Sequence, residues 1–131
     1  MMDKGIFKAY NVRGRYPQEI DEEIVSDITR ALGRYFKPGK IIIGHDSRLS
    51  SLSLYQAVIK GFMNHDSRFM ILKVGMTTTP MFYFLVNEFR AQGGIMVTAS
   101  HNPKNYNGLK IVGKKAKMIG GKEVLSIMRH D

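Results

Sequence analysis

Gly93-Gly94-Ile95-Met96-Val97-Thr98-Ala99-Ser100-His101-Asn102-Pro103 is the stretch on which the reading of this chain turns. Its first half is an apolar run of Ile, Met and Val, the pattern of a buried strand. Its second half changes abruptly to a hydroxyl, an imidazole, an amide and a proline. Proline has no N–H for a ladder and Asn-Pro favours a turn, so the strand is expected to stop near Ala99. Ser100 then stands at the C-terminal mouth of a strand, where open α/β sheets place their ligands. Further on, Asn107-Gly108 reads as a second turn, and Leu109-Lys110-Ile111-Val112 alternates like a half-buried strand. The loop from Ser100 to Asn107 is thereby pinned between two strands, and its hydroxyl is a candidate nucleophile.

Upstream of that stretch, strands and helices alternate. Ile6 to Pro17 reads as a short strand running into an ordered loop. Ile20, Ile24, Val25, Ile28, Leu32, Tyr35 and Phe36 recur with helical spacing, with Asp21, Glu22 and Glu23 in the first turn and Pro38-Gly39 at the end. Lys40-Ile41-Ile42-Ile43-Gly44 is a β-branched strand that runs into His45-Asp46-Ser47-Arg48-Leu49-Ser50-Ser51. In that turn Asp46 and Arg48 are expected to tie the loop together, and Ser50 or Ser51 to cap the next helix. A lone histidine after a strand is more often hydrogen-bonded in a loop than a ligand or base, and His45 is read so. Leu54, Val58, Ile59, Phe62 and Met63 make the next helical stripe, and Phe69 to Val74 the next strand. Thr79 is expected to cap a third helix with Pro80 at its first position, and Met81, Phe84, Leu85 and Phe89 to form its apolar face.

Downstream, Gly113 to Lys117 is a basic turn and Glu123 to Met128 a closing helix. The βαβαβ order with an added antiparallel strand predicts an α/β fold: a three-layer α/β/α domain around a four-stranded mixed, mostly parallel sheet, spanning residues 1–131 as one unit. The 131 residues suffice for one real core, and 44% hydrophobic with 24% charged residues is ordinary for a globular protein. No apolar run is long enough to span a bilayer and no signal-peptide pattern opens the chain, so a cytoplasmic home without membrane association is expected. The absence of cysteine excludes thiol catalysis, disulfides and Cys-based metal sites. A net charge of +9 suits phosphate-bearing ligands or simply solvated lysine faces. The aromatics fall mostly on core stripes and are not interleaved with the lysines, so nucleic acid is not an expected partner.

Several serine chemistries fail on pattern. A nucleophile elbow needs Gly-x-Ser-x-Gly, but Ser100 is flanked by Ala99 and His101. Neither a Walker loop nor a dinucleotide glycine pattern occurs, and no His-x-x-x-His or paired-carboxylate spacing suggests a metal cage. Neighbouring side chains in an extended loop point apart, so His101 is not expected to be the base for Ser100. Phosphoryl transfer asks less: positioning, and cations around the equatorial oxygens. His101, Asn102 and Lys110 lie on or just beyond the same loop and can supply donors.

Thr98-Ala99-Ser100-His101-Asn102-Pro103 resembles the phosphoserine loop of the α-D-phosphohexomutases, the phosphomannomutase/phosphoglucomutase family. Three other segments are similar to that family: Phe7-Lys8-Ala9-Tyr10 through Val12-Arg13-Gly14, the Gly44 to Ser50 turn with His45 where the family has arginine, and the Gly75 to Pro80 segment. Asn11 stands where the family has aspartate. The resemblance implies that Ser100 carries a phosphoryl group and ligates Mg²⁺ through that phosphate. It makes His101, Asn102 and Lys110 the surrounding polar groups, with Lys110 or His101 assisting proton transfer. It makes Tyr10 and Arg13 substrate-side residues, Arg13 because a guanidinium suits a phosphate. The implied substrate is a mannose or glucose phosphate, activated by a hexose 1,6-bisphosphate.

The resemblance covers only the first of the family's four domains. The Asp-Gly-Asp-Gly-Asp metal loop, the sugar-recognition loop and the C-terminal phosphate-binding loop do not occur in this chain. The missing domains of the same enzyme are therefore expected partners, negligible turnover is expected of the chain alone, and surfaces that would face those domains are open to self-association. The rival expectation is a regulatory or scaffold module that kept the fold without catalysis.

Overall fold

A computed structural model of the protein describes residues 2–63 and 68–130. A 3-10 turn at Lys4–Ile6 precedes the first strand, β1 (Val12–Arg15). Then follow α1 (Glu22–Tyr35), β2 (Gly39–His45), α2 (Ser51–Met63), β3 (Phe69–Met76), α3 (Thr79–Glu88) and β4 (Gly93–Val97). The chain closes with β5 (Tyr106–Gly113), a 3-10 turn at Lys114–Ala116, β6 (Met118–Ile119) and α4 (Gly121–Arg129). The caps follow local chemistry. Asp21 accepts from the Ile24 N–H at the start of α1, and Thr78 from the Met81 N–H at the start of α3. The cap of α3 is thus one residue earlier than expected, with Thr79 inside the helix.

The sheet runs β1-β5-β4-β2-β3, with β6 paired to β5. β2 is parallel to both β3 and β4, while β5 is antiparallel to β1, β4 and β6. The three-layer α/β/α reading with a mixed sheet holds, but the sheet has six strands rather than four. The two strands beyond the expected four are β1, which falls in the segment read as a short strand but not assigned to the sheet, and β6, whose two residues are too few for a period-2 pattern to register.

Side chains alternate across the sheet. Ile41, Ile43, Ile95, Val97, Leu109 and Ile111 face α1, α2 and α4, joining Ile28, Leu32, Leu54, Val58, Phe62 and Val124 in the main core. Ile42, Met96 and Val112 face the other way, against Phe82 and Val86 of α3. Gly94 permits this second contact, because a Cβ there would lie 2.9 Å from the Phe82 ring. The apolar face expected for α3 is therefore corrected in part: Leu85 packs on the cluster as expected, but Phe82 and Val86 are the buried residues, and Met81, Phe84 and Phe89 are exposed. Both faces of this helix carry large apolar groups, so spacing alone could not choose between them.

Candidate active site

β4 stops at Val97, and residues 98–105 form the loop that returns as β5. Thr98 and Ala99 are still buried, and Ser100 is the first exposed residue. Ser100 has φ 55°, the left-handed region that non-glycine residues seldom occupy. Such a conformation persists only where the surroundings hold it. Here the Ser100 N–H donates to Thr98 Oγ1 at 3.0 Å, and the Ser100 carbonyl accepts from Arg48 Nη2 at 2.8 Å. The Asn102 N–H closes the turn on the Ala99 carbonyl at 3.1 Å.

Arg48 reaches this loop from the segment that follows β2, the neighbouring parallel strand. Its guanidinium donates to the carbonyls of Ser100, Asn102, Pro103 and Tyr106 at 2.6–3.1 Å. Its Nε donates to Asp46 Oδ2 at 3.3 Å, and Asp46 Oδ1 accepts from the Ser51 hydroxyl. Asn107, fully buried, donates to Ser50 and Ser51 Oγ at 2.7 and 2.9 Å. Its Oδ1 accepts from the Gly108 N–H at 2.8 Å. Sequence reading anticipated that Asp46 and Arg48 would tie their own turn. It missed that Arg48, Ser51 and Asn107 bind that turn to the Ser100 loop; the basic and hydroxyl residues crowded after a buried strand were the available signal.

Asn107-Gly108 is not a turn, as its dipeptide suggested, but the beginning of β5. Gly108 pairs with Arg13, and a Cβ at Gly108 would lie 2.1 Å from the Val12 carbonyl oxygen. The glycine thus serves a close strand approach. His45 ends β2 instead of lying in the loop; its Nδ1 bonds to the Asp46 carbonyl at 2.7 Å and its ring packs on Tyr55.

The candidate residues converge in part. Arg13 Nη1 donates to Asn102 Oδ1 at 2.8 Å, joining β1 to the loop. Lys110 pairs with Met96 across β4 and β5, and Arg13 with Gly108 across β1 and β5. Strand alternation therefore puts Arg13 and Lys110 on the same face as Met96, the α3 side, where both are partly exposed. His101 is exposed beside Ser100. Tyr10 stands 68% exposed on the turn before β1, and no hydrogen bond among the described residues joins it to the loop. On the α3 side, a cleft of about 470 Å³ opens between Asp46-Ser47 and Thr77-Thr78-Thr79, with Met96 and Thr98 in its walls. A cavity of about 530 Å³ lies at the opposite end of the sheet, by Phe36, Gln92 and Lys117.

Behind the loop, Tyr16 and Ser53 both donate to Glu22 Oε2 at 2.5 Å, and the Tyr16 N–H donates to the Asn105 carbonyl at 2.8 Å. Burial pushes the Glu22 carboxyl up, but the Ser53 and Tyr16 hydroxyls outweigh it and hold it below the usual carboxylate range. The hydrogen bond to Glu22, with burial, raises the Tyr16 phenol above its ordinary value. No group of three or more His, Asp or Glu among the described residues could hold a metal ion, and Asp46, which borders the cleft, is engaged by Arg48 and Ser51. The site thus offers a hydroxyl on a fixed loop with an arginine and a lysine on the adjoining sheet face, a set suited to an anionic ligand.

The family model for phosphoglucomutase/phosphomannomutase, alpha/beta/alpha domain I, matches residues 4–130. The chain belongs to this family, as its domain I. A phosphomannomutase of Klebsiella pneumoniae is 47% identical over 115 residues, covering 88% of this chain and 72% of that protein. A phosphomannomutase of Escherichia coli is likewise 47% identical over 115 residues, again 88% of this chain but only 25% of that protein. A solved phosphoglucomutase/phosphomannomutase family protein of Burkholderia thailandensis superposes with a TM-score of 0.85 at 30% identity, over 99% of this chain and 30% of its own. The chain therefore spans about a quarter to a third of these two longer relatives. Among the described residues, no helix is long and apolar enough to cross a membrane.

Proposed function

We propose that this domain carries the transferable phosphoryl group of a phosphomannomutase/phosphoglucomutase, with Ser100 Oγ as its acceptor and donor. In one half-reaction the phosphoserine P–O bond breaks as the phosphorus bonds to a free hydroxyl of a hexose monophosphate, whose proton passes to Lys110 or His101, while the departing Ser100 Oγ takes up a proton. The product is a hexose 1,6-bisphosphate. In the other half-reaction Ser100 Oγ gives up that proton as it takes the other phosphoryl group, the phosphorus–sugar oxygen bond breaks, and the sugar oxygen takes a proton from Lys110 or His101. Arg13, Asn102 and Tyr10 bind the phosphosugar, and the cationic side chains offset charge on the equatorial oxygens.

The observation that carries this reading is Ser100 itself: exposed at the C-terminal end of β4, with its backbone fixed in a left-handed conformation by Thr98 and Arg48. A nucleophile held on a rigid loop needs little reorganisation when the phosphoryl group arrives. Mg²⁺, when bound, would neutralise phosphate charge. Ser100, through its phosphate, is the residue here that would touch it, and the described carboxylates form no cage for it. The remaining metal ligands and the sugar-recognition groups belong to further domains of the enzyme.

Turnover assays of the chain alone, with mannose or glucose phosphate, Mg²⁺ and a hexose 1,6-bisphosphate, are expected to show negligible isomerisation. Efficient isomerisation that Ser100→Ala abolishes would overturn the dependence on further domains. Efficient isomerisation that survives Ser100→Ala would overturn the role of Ser100.

A further inference from the structure

We propose that Arg48 is the positioning residue of the Ser100 loop, holding its carbonyls inward so that the exposed side receives an anion without repulsion. The functional meaning rests on the phosphoryl-carrier reading above; the clamp itself rests on geometry.

A guanidinium has five N–H donors in one plane. At Arg48 these meet the Asp46 carboxylate and the carbonyls of Ser100, Asn102, Pro103 and Tyr106. Three of those carbonyls come from the Ser100 loop and the fourth from Tyr106 at the start of β5, 52–58 residues further along the chain. Four carbonyls that accept from one guanidinium are not free to turn their negative ends toward an approaching phosphate. The Ser100 carbonyl is among them, so the same contact that orients the dipole also fixes the left-handed backbone of Ser100. The side chain of Arg48 is only 14% exposed, and Asp46 holds its orientation while Ser51 and Asn107 hold Asp46 and β5 in turn. Lysine cannot replace it: an ammonium is a point charge with three donors and lacks the planar fork.

Amide hydrogen exchange of the chain, read by NMR for the wild type, Arg48→Ala and Arg48→Lys, tests this. The Asn102 and Tyr106 amides, which close the loop on Ala99 and Pro103, are the reporters. The Ile42 and Ile95 amides of the central strands are the internal reference. Both variants are expected to raise the loop exchange at least about tenfold relative to that reference, since charge-assisted hydrogen bonds are lost. Unchanged loop exchange in Arg48→Ala would overturn the proposal, as would full restoration by Arg48→Lys, which would show that charge alone suffices. If Arg48→Ala does not fold, Arg48→Lys carries the same test against the wild type. Labelling of Ser100 from a hexose 1,6-bisphosphate with Mg²⁺, in the enzyme containing this domain, separates the two readings. A loosened loop on a protein whose Ser100 never takes phosphate overturns the carrier reading, while a labelled Ser100 with an unaltered variant loop overturns the role of Arg48.

Discussion

The two faces of the sheet are built differently. One is covered by α1, α2 and α4 and contains the main core, with Phe62 stacked on Phe36 at 6.3 Å and meeting Phe69 edge-on at 5.5 Å. The other is covered, among the described residues, by α3 and the 3-10 turn at Lys114–Ala116, over a small cluster around Ile42, Phe82 and Met96. Arg13 and Lys110 lie on that second face, where β1 and β5 extend past the strands that α3 packs on. Where a helix is missing a sheet can present charge, and where three helices pack it cannot without leaving a buried ion. The main core and the partly exposed cations are thus divided by face, and the Ser100 loop follows β4 at the end where the two meet.

Four substitution and pH experiments sharpen or break that division. The largest effect is expected from Phe62→Ala, which removes a ring from the main core and should destabilise by about 3–5 kcal/mol in chemical denaturation. Asn107→Ala, at the junction, should cost about 1–3 kcal/mol, because it leaves buried hydroxyl and backbone groups of Ser50, Ser51 and Gly108 short of partners. The Tyr16–Glu22 pair sets a pH window of smaller amplitude. Glu22 is held below its ordinary 4.5, so its contribution is complete above that pH and is lost as pH falls through its lower folded value. Tyr16 is raised above its ordinary 10.0, so its contribution is complete below that pH and is lost as pH rises through its folded value. Glu22→Gln should flatten the acid limb of stability against pH, and Tyr16→Phe the alkaline limb. Phe84→Ser on exposed α3 should change stability by no more than about 0.5 kcal/mol. A Phe84→Ser effect as large as that of Phe62→Ala would erase the distinction between the faces.

Much of this arrangement was legible in the sequence where one strong local pattern dominated. The β-branched run at Ile41-Ile42-Ile43 and the break at Ser100 each had a single physical reading, and both occur where expected. The reading of α3 went in part to the wrong face because Met81 and Phe84 compete with Phe82 and Val86 for the same periodicity, and only the sheet beneath decides between them. Asn107-Gly108 misled for a related reason: glycine serves tight turns and close strand approaches equally, and the Val12 carbonyl that selects the second lies far away in sequence. The Arg48 contacts were illegible because they join segments more than fifty residues apart through backbone carbonyls, which carry no side-chain signature.

The central claim is that Ser100 Oγ accepts and returns a phosphoryl group. Its most direct measurement is peptide mapping by mass spectrometry of the enzyme containing this domain, after exposure to a hexose 1,6-bisphosphate with Mg²⁺ and again after a chase with hexose monophosphate. Phosphate on the peptide bearing Ser100, lost in the chase and never gained by Ser100→Ala, is the expected result. Phosphate on another residue while turnover proceeds, or label that persists in Ser100→Ala, would contradict it.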